Sequence, residues 1–362
     1  MVEFVLSGPR GDNPLGLLAC LGALAVLEDN GCCAFLGWDG VTPRLSADLG
    51  RRGASASTEN ACREALISTL HRALRRERSK GAAETERARK EMERCATALK
   101  KKREEVKRRG LKRDERAREI APLEAQLSEK AAAFRRALAQ SAADPAVTLG
   151  KNLTATGAEL ADFIANASEQ CTPAGRRWVD LAAAYGVADP AEPGARMKAS
   201  PWALIRGDSR QNFLASVEEL MLRCTEAHID QALFGPWEPR DEKYSLRLDS
   251  AEDRRYALMA GDPTASGNAP RSLWGANRLA FEALRFFPAM PDPAGMAVLA
   301  WRAEGGRWQG VCRARWPLWR PYIGAAVVRS LFGLRELWLD DPETRARLRS
   351  RGVHAVMETR RI

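Results

Sequence analysis

The chain of 362 residues carries 57 Lys and Arg against 47 Asp and Glu, a net charge of +10, with eight Cys and three His. That length exceeds one minimal core and suggests two folding units. The longest apolar run, Leu15 to Leu27, is about half of what a spanning helix needs, and no Lys precedes it as a signal peptide would require, so the expectation is a cytoplasmic protein with no membrane partner.

In chain order, Glu3-Phe4-Val5-Leu6 is a short strand candidate, and Gly8-Pro9-Arg10-Gly11 is a turn. Asn13 is placed to cap a helix with Pro14 at its first position and Asn30-Gly31 at its end. Leu15, Leu18, Leu21, Leu24 and Leu27 recur on one side, and Leu17, Ala19, Cys20, Ala23 and Val26 make the rest apolar too, which marks a core helix. Residues 33–38 and 44–49 read as strands about an Asp39-Gly40 turn, giving a β-α-β-β start. Gly8 and Gly11 before a helix lack the Lys-Ser or Lys-Thr and the third glycine of a phosphate-binding loop.

From Thr58 the pattern is helical. Ala88, Met92, Cys95, Leu99, Lys102 and Val106 alternate at spacings of four and three, and Ala117, Ile120, Glu124, Leu127, Ala131, Phe134 and Leu138 repeat the pattern beyond Arg109-Gly110. An antiparallel hairpin turning near Gly110 accounts for both arms, with a continuous helix, kinked or not at Pro122, as the alternative. Between Arg75 and Arg118 stand nineteen Lys and Arg against nine Asp and Glu, an excess equal to that of the whole chain. A cluster of that kind either grips polyanions, because each neutralised phosphate releases a counterion, or is simply a solvated helix face.

Short helices are expected at 154–170 and 175–185, and a Pro-rich loop at 188–201 is the best domain boundary. One amphipathic helix should run from about 211 to 233, burying Phe213, Leu214, Val217, Leu220, Met221, Cys224, His228 and Ile229, until Gly235-Pro236 stops it. Strand-like pieces lie at 245–249 and 256–259. A hairpin of 296–302 and 307–315 turns at Gly305-Gly306, helices begin near Pro321 and at Pro342 behind Asp341, and 353–359 is strand-like.

The search for chemistry returns little. None of the Cys forms a C-x-x-C pair, so all eight read as small apolar residues in a reducing compartment, and His71, His228 and His354 lie in no metal or general-base motif. His228 reads as a satisfied core histidine. Asp241-Glu242, Asp249 with Glu252-Asp253, and Asp340-Asp341 could each donate carboxylates to magnesium, with a nuclease built on Asp241, Glu242, Lys243 and Asp249, but Asp341 is better explained as a helix cap. Trp274, Trp301, Trp308, Trp316, Trp319 and Trp338 interleave with Arg271, Arg278, Arg313, Arg315 and Arg320. Such mixtures stack bases and clamp phosphates, although tryptophan more often builds cores.

The ordered set Asn13-Pro14-Leu15-Gly16, Leu21-Gly22-Ala23-Leu24, Leu233-Phe234-Gly235-Pro236-Trp237, Leu246-Arg247-Leu248-Asp249, Asp253-Arg254-Arg255-Tyr256-Ala257-Leu258, Asp262-Pro263, Gly275-Ala276-Asn277-Arg278-Leu279-Ala280-Phe281, Phe287-Pro288 and Trp316-Pro317-Leu318-Trp319 resembles a CRISPR-associated family of type I-G (formerly I-U) loci. That family occurs as a stand-alone chain or as an extension of the effector helicase-nuclease. Arg278 stands where a bulky apolar residue is expected, and Leu248 where an aromatic is. The resemblance implies a large-subunit-like part of an RNA-guided effector complex in antiviral defence, with no catalytic residues to carry over. In such complexes base pairing reads sequence and protein subunits grip backbones.

The expectation is a helix-rich α+β protein with small mixed β elements at both ends and a long basic antiparallel helical hairpin inserted between. Its parts are an N-terminal α/β element (1–58), the hairpin (59–141), a helical segment and linker (142–200) and a C-terminal α+β part (201–362). The expected function is a non-enzymatic, nucleic-acid-binding component (DNA or RNA) without cofactor or metal, with guide RNA or target DNA and other effector subunits as partners. Lys100, Lys101, Lys102, Arg103, Lys107, Arg108, Arg109, Lys112 and Arg113 would contact phosphates from the hairpin, joined by the five arginines of the Trp-rich part. A protein-interaction adaptor that docks the complex or its helicase-nuclease, and a metal-dependent nuclease, are the alternatives.

Overall fold

The computed structural model describes residues 1–50, 58–75, 82–110, 113–141, 149, 153, 155–169, 172–188, 192, 194–203, 213–250, 271–292, 296–303 and 312–361. It is a helix-rich α+β protein, and the pairings between its described strands are all antiparallel rather than mixed. Contacts divide the chain into a body, Met1–Arg75 with Lys151–Ile362, and a second unit, Arg76–Gly150.

In the body, β1 (Val2–Val5), β2 (Ala34–Asp39) and β3 (Thr42–Ala47) form a sheet in the order β1-β3-β2, with Asp39 opposite Thr42 across a two-residue turn. The strands sit one or two residues from where the alternation put them. The Asn13 side chain accepts from the Leu15 and Gly16 amides and opens α1 (Pro14–Asp29), whose residues 14 to 27 are all buried. Helix α1 packs on α9 (Trp274–Ala283), and their backbones approach so closely at Gly22 that a Cβ there would stand 1.8 Å from the Leu279 carbonyl oxygen. Only glycine permits that crossing.

Helix α2 (Glu59–Leu74), capped by the Thr58 hydroxyl, packs on α1 and on α8 (Glu226–Phe234). It therefore belongs to the body, whereas the sequence pattern assigned it to the insertion. Helices α5 (Gly157–Glu169) and α6 (Pro173–Tyr185) follow, and the next loop is no domain boundary, because β4 (Gly186–Val187) pairs with β5 (Lys198–Ala199) and both sides group together. The long helix expected over 211–233 is two: α7 (Phe213–Arg223) stops at Cys224, and Thr225 starts α8. Periodicity conceals the break because apolar residues continue in register across it. His228 is no core histidine; its Nδ1 accepts from the Thr225 amide at 3.0 Å and completes a capping box.

Strand β6 (Asp241–Glu242) pairs with β7 (Arg271–Ser272). Residues 245–249 form no strand: Lys243, Tyr244 and Arg247 adopt positive φ (68°, 53° and 59°), and the Leu246 amide is held by the Asn277 side chain. The expected strand at 256–259 lies outside the described residues. The second sheet runs β12-β11-β10-β9-β8, from β8 (Ala289–Met290), β9 (Ala297–Val298), β10 (Trp301–Ala303) and β11 (Cys312–Trp319) to β12 (Val353–Arg361) at its edge. The strand expected over 296–302 breaks at Ala300, whose φ is 66°. Helix α10 (Ala325–Phe332) starts after Gly324, and Asp341 caps α11 (Pro342–Ser350) as its position suggested. Indoles of β11 tie the second sheet to the N-terminal part: Trp319 donates to the carbonyl of Leu36 in β2 and Trp316 to that of Gly11 in the turn before α1, both at 2.7 Å.

Four cysteines, Cys20, Cys62, Cys224 and Cys312, are buried as expected, whereas Cys33 is exposed and Cys32 and Cys95 are half-buried. No helix of the described residues is long and apolar enough to cross a membrane.

Candidate nucleic-acid interface

The second unit is built from α3 (Ala82–Arg108) and α4 (Arg113–Ser141), each about 40 Å long at 1.5 Å per residue. Gly110, at φ 66°, lies in the connection, a conformation favourable to glycine. The ion pairs fix the direction of the arms. Glu91 meets Lys130 and Glu119 meets Lys102, so that eleven residues forward on α3 (91 to 102) answer eleven backward on α4 (130 to 119), an antiparallel hairpin rather than one continuous helix. Pro122 is accommodated inside α4.

Leu99, Val106, Phe134 and Ala137 are buried in the seam, while Ile120, Leu123 and Leu127 are half-buried in it. The register on α4 thus differs from the one expected, since Ala117 and Glu124 are exposed. Glu124 instead receives Arg103 at 2.7 Å from the other arm.

The hairpin separates its cations by task. Lys102 lies 2.9 Å from Glu119 and 3.3 Å from Glu105, Arg109 lies 3.0 Å from Glu119, and Arg103 is on Glu124. These three flank the seam and tie the arms. The hydrogen bonds that Lys102 donates to Glu119 and Glu105 raise its pKa, and Lys102 with Arg109 lowers that of Glu119. Lys100, Lys101, Lys107, Arg108 and Arg113 are exposed, and among the described residues none has a carboxylate within ion-pairing distance. Lys100 with Lys107, and Lys101 with Arg108, are each two turns apart and so share the side of α3 turned away from the seam. Glu104 lies on that side too. Lys112 is outside the described residues.

The five arginines expected from the Trp-rich part do not behave alike. Arg271 and Arg320 are exposed, and Arg313 is partly exposed at 3.9 Å from Glu358. Arg315 is largely committed to Glu358 at 2.6 Å, Asp340 at 3.1 Å and the Leu337 carbonyl. Arg278 corrects the expectation outright: fully buried, it donates to Glu282 at 2.8 Å and to the Leu74 carbonyl at 3.1 Å, and no phosphate can reach it there. Glu282 is buried as well, and burial opposes its ionisation, but Arg177, Arg278 and Arg285 outweigh that and hold its carboxyl well below the usual range. The Arg278/Glu282 spacing of four inside an apolar helix was the available sign of this role.

Trp301, Trp316 and Trp319 are buried and so are core, not base-stacking, residues, and Trp308 lies outside the described residues. Trp274, half-exposed, stacks beside His228 and Tyr244, and Trp338 presents a half-exposed ring beside Arg302 and Arg315. Asp241 and Asp249, the acids of the nuclease alternative, are engaged separately: Asp241 accepts from the Trp274 amide at the start of α9, and Asp249 from the Asn13 side chain. Among the described residues no three His, Cys, Asp or Glu side chains are grouped to hold a metal ion, and Glu252-Asp253 lie outside them.

No protein-family model matches the chain, and no curated protein is significantly similar to it.

Proposed function

We propose that this chain is a non-enzymatic nucleic-acid-binding component of a type I CRISPR effector complex in antiviral defence, gripping phosphate backbone through the outward side of its helical hairpin. The observation that carries the reading is the division of cations within α3. Had the basic excess served only to hold the arms together, all of it would face acids across the seam; instead Lys100, Lys101, Lys107 and Arg108, with Arg113 at the start of α4, remain available. The resemblance to type I-G proteins supplies the biological setting, in which guide and target pair with each other and protein subunits hold the backbone.

Five available cations give the test its number. Binding to duplex DNA should weaken with salt along a log-log slope of about −4.5, with little dependence on sequence. A gel shift over a salt series with DNA and RNA of matched length measures it. Reversal of Lys100, Lys101, Lys107 and Arg108 to Glu should weaken the shift of duplex DNA strongly and flatten the slope. If that variant binds as the parent does, the reading fails; if it binds nucleic acid normally but no longer co-purifies with effector subunits, the hairpin is a protein-docking element.

A further inference from the structure

The outer face of the five-stranded sheet carries an arrangement that folding alone does not favour. The registers place Arg302 of β10 directly opposite Arg313 of β11, and Arg313 directly opposite Arg360 of β12. Directly opposed residues share a face, so three guanidinium groups form one row across three strands, about 5 Å from strand to strand and about 10 Å from end to end. Like charges so placed repel and weaken a sheet.

The surroundings compensate only in part. Arg315, opposite Glu358 in the next row, and Arg335, in the 3-10 turn Arg335–Trp338, bring five arginines to this face. The described carboxylates set against them are two. Glu358 is shared by Arg315 at 2.6 Å, Arg360 at 3.6 Å and Arg313 at 3.9 Å, and Asp340 is held by Arg315. Arg302 and Arg335 have no carboxylate in ion-pairing range among the described residues. Arg302 instead lies 4.5 Å from the centroid of the Trp338 ring, which orients its planar fork while leaving its outer N–H groups to an incoming group. Burial, Arg335 and Arg315 all lower the Arg302 pKa, the mark of a cation crowded by cations.

We infer that the row Arg302-Arg313-Arg360, with Trp338 beside it, is a second phosphate-binding site that takes the backbone of single-stranded nucleic acid. A guanidinium fork matches a phosphate in two hydrogen bonds, and a row about 10 Å long suits consecutive phosphates of an extended strand better than one isolated ion. The half-exposed indole adds a surface on which a base can stack, as single-strand binders use. This inference rests on the nucleic-acid reading proposed above but uses residues of the body alone, so the two fail separately.

The test is fluorescence anisotropy of the full chain with labelled oligothymidylate across a salt series, comparing the parent, R302Q/R313Q/R360Q and the hairpin reversal. The glutamine variant should bind on the order of tenfold more weakly, with a slope shallower by about 2, because three phosphates lose their partners. Its Tm without ligand should equal or exceed the parent's, since repulsion has been removed. Should the triple variant fail to fold, R302Q alone carries the test, with a slope shallower by about 0.7. Parental affinity and slope in the glutamine variant, with binding lost in the hairpin reversal, would overturn the sheet site and leave the hairpin reading standing. No binding by the parent would overturn both. Tripolyphosphate that raises the parent's Tm but not the variant's, with oligothymidylate binding equal in the two, would show a site for free polyphosphate and overturn the assignment to nucleic acid.

Discussion

Arg278 and Glu282 form a buried ion pair, and the two groups are strongly interdependent. Replacing Glu282 by Gln leaves a fully buried guanidinium without its counter-charge, so E282Q should cost about 3–5 kcal/mol, read as a lower urea midpoint. The same carboxylate gives an acid dependence of definite sign. Its folded pKa is lowered, so its contribution is present above the unfolded value, about 4.3, and is lost progressively as pH falls below that. The parent's midpoint should therefore drop in acid more steeply than that of E282Q. Gly22 sets a different limit. A methyl group at 1.8 Å from the Leu279 carbonyl forces α1 and α9 apart, and G22A is expected to destabilise by about 1–3 kcal/mol or more in the same titration.

At the scale of elements, the hairpin has its own core, and its stability can be probed without touching its outward charge. Leu99 is 5% exposed in the seam, and L99A should cost about 2–4 kcal/mol, seen as faster amide exchange along α3 and α4. The charges at the seam act more weakly. Lys102, Arg103 and Arg109 make exposed pairs, so their replacement by Gln should change exchange only slightly, mostly near the turn, and leave most nucleic-acid binding in place. The contrast between those three and Lys100, Lys101, Lys107 and Arg108 is a contrast between faces of one helix. Sequence spacing gives the arms and the turn at Gly110, but which cations the opposite arm neutralises depends on the register between arms. A shift of that register, such as separates the expected Glu124 seam position from its observed exposed one, changes every cross-arm pair.

For the whole molecule, the hairpin and the sheet face draw on separate sets of residues, so each variant should leave the binding of the other surface in place, and only the combination of both should remove binding altogether. Much of the architecture was legible in local pattern: the buried α1 with its Asn13 cap, the two-arm basic segment, the cap at Asp341 and the strand that closes the sheet. These are features in which a residue and its near neighbours carry the whole signal. Other features needed the fold. The break at Thr225 was hidden by continuous apolar spacing, and the positive φ angles of Lys243, Tyr244 and Arg247 leave no pattern among ordinary side chains. The arginines of the Trp-rich part look alike in sequence, yet Arg278 is sealed beside Glu282 while Arg302, Arg313 and Arg360 line up across three strands. By itself, then, the sequence determined the segments, their caps and where the charge excess lies, because helix and strand periods and end signals are local. Which cations are neutralised, which are buried and which stand side by side was decided only by tertiary structure, because charge interaction depends on distance in space and on water, and neither follows from order along the chain.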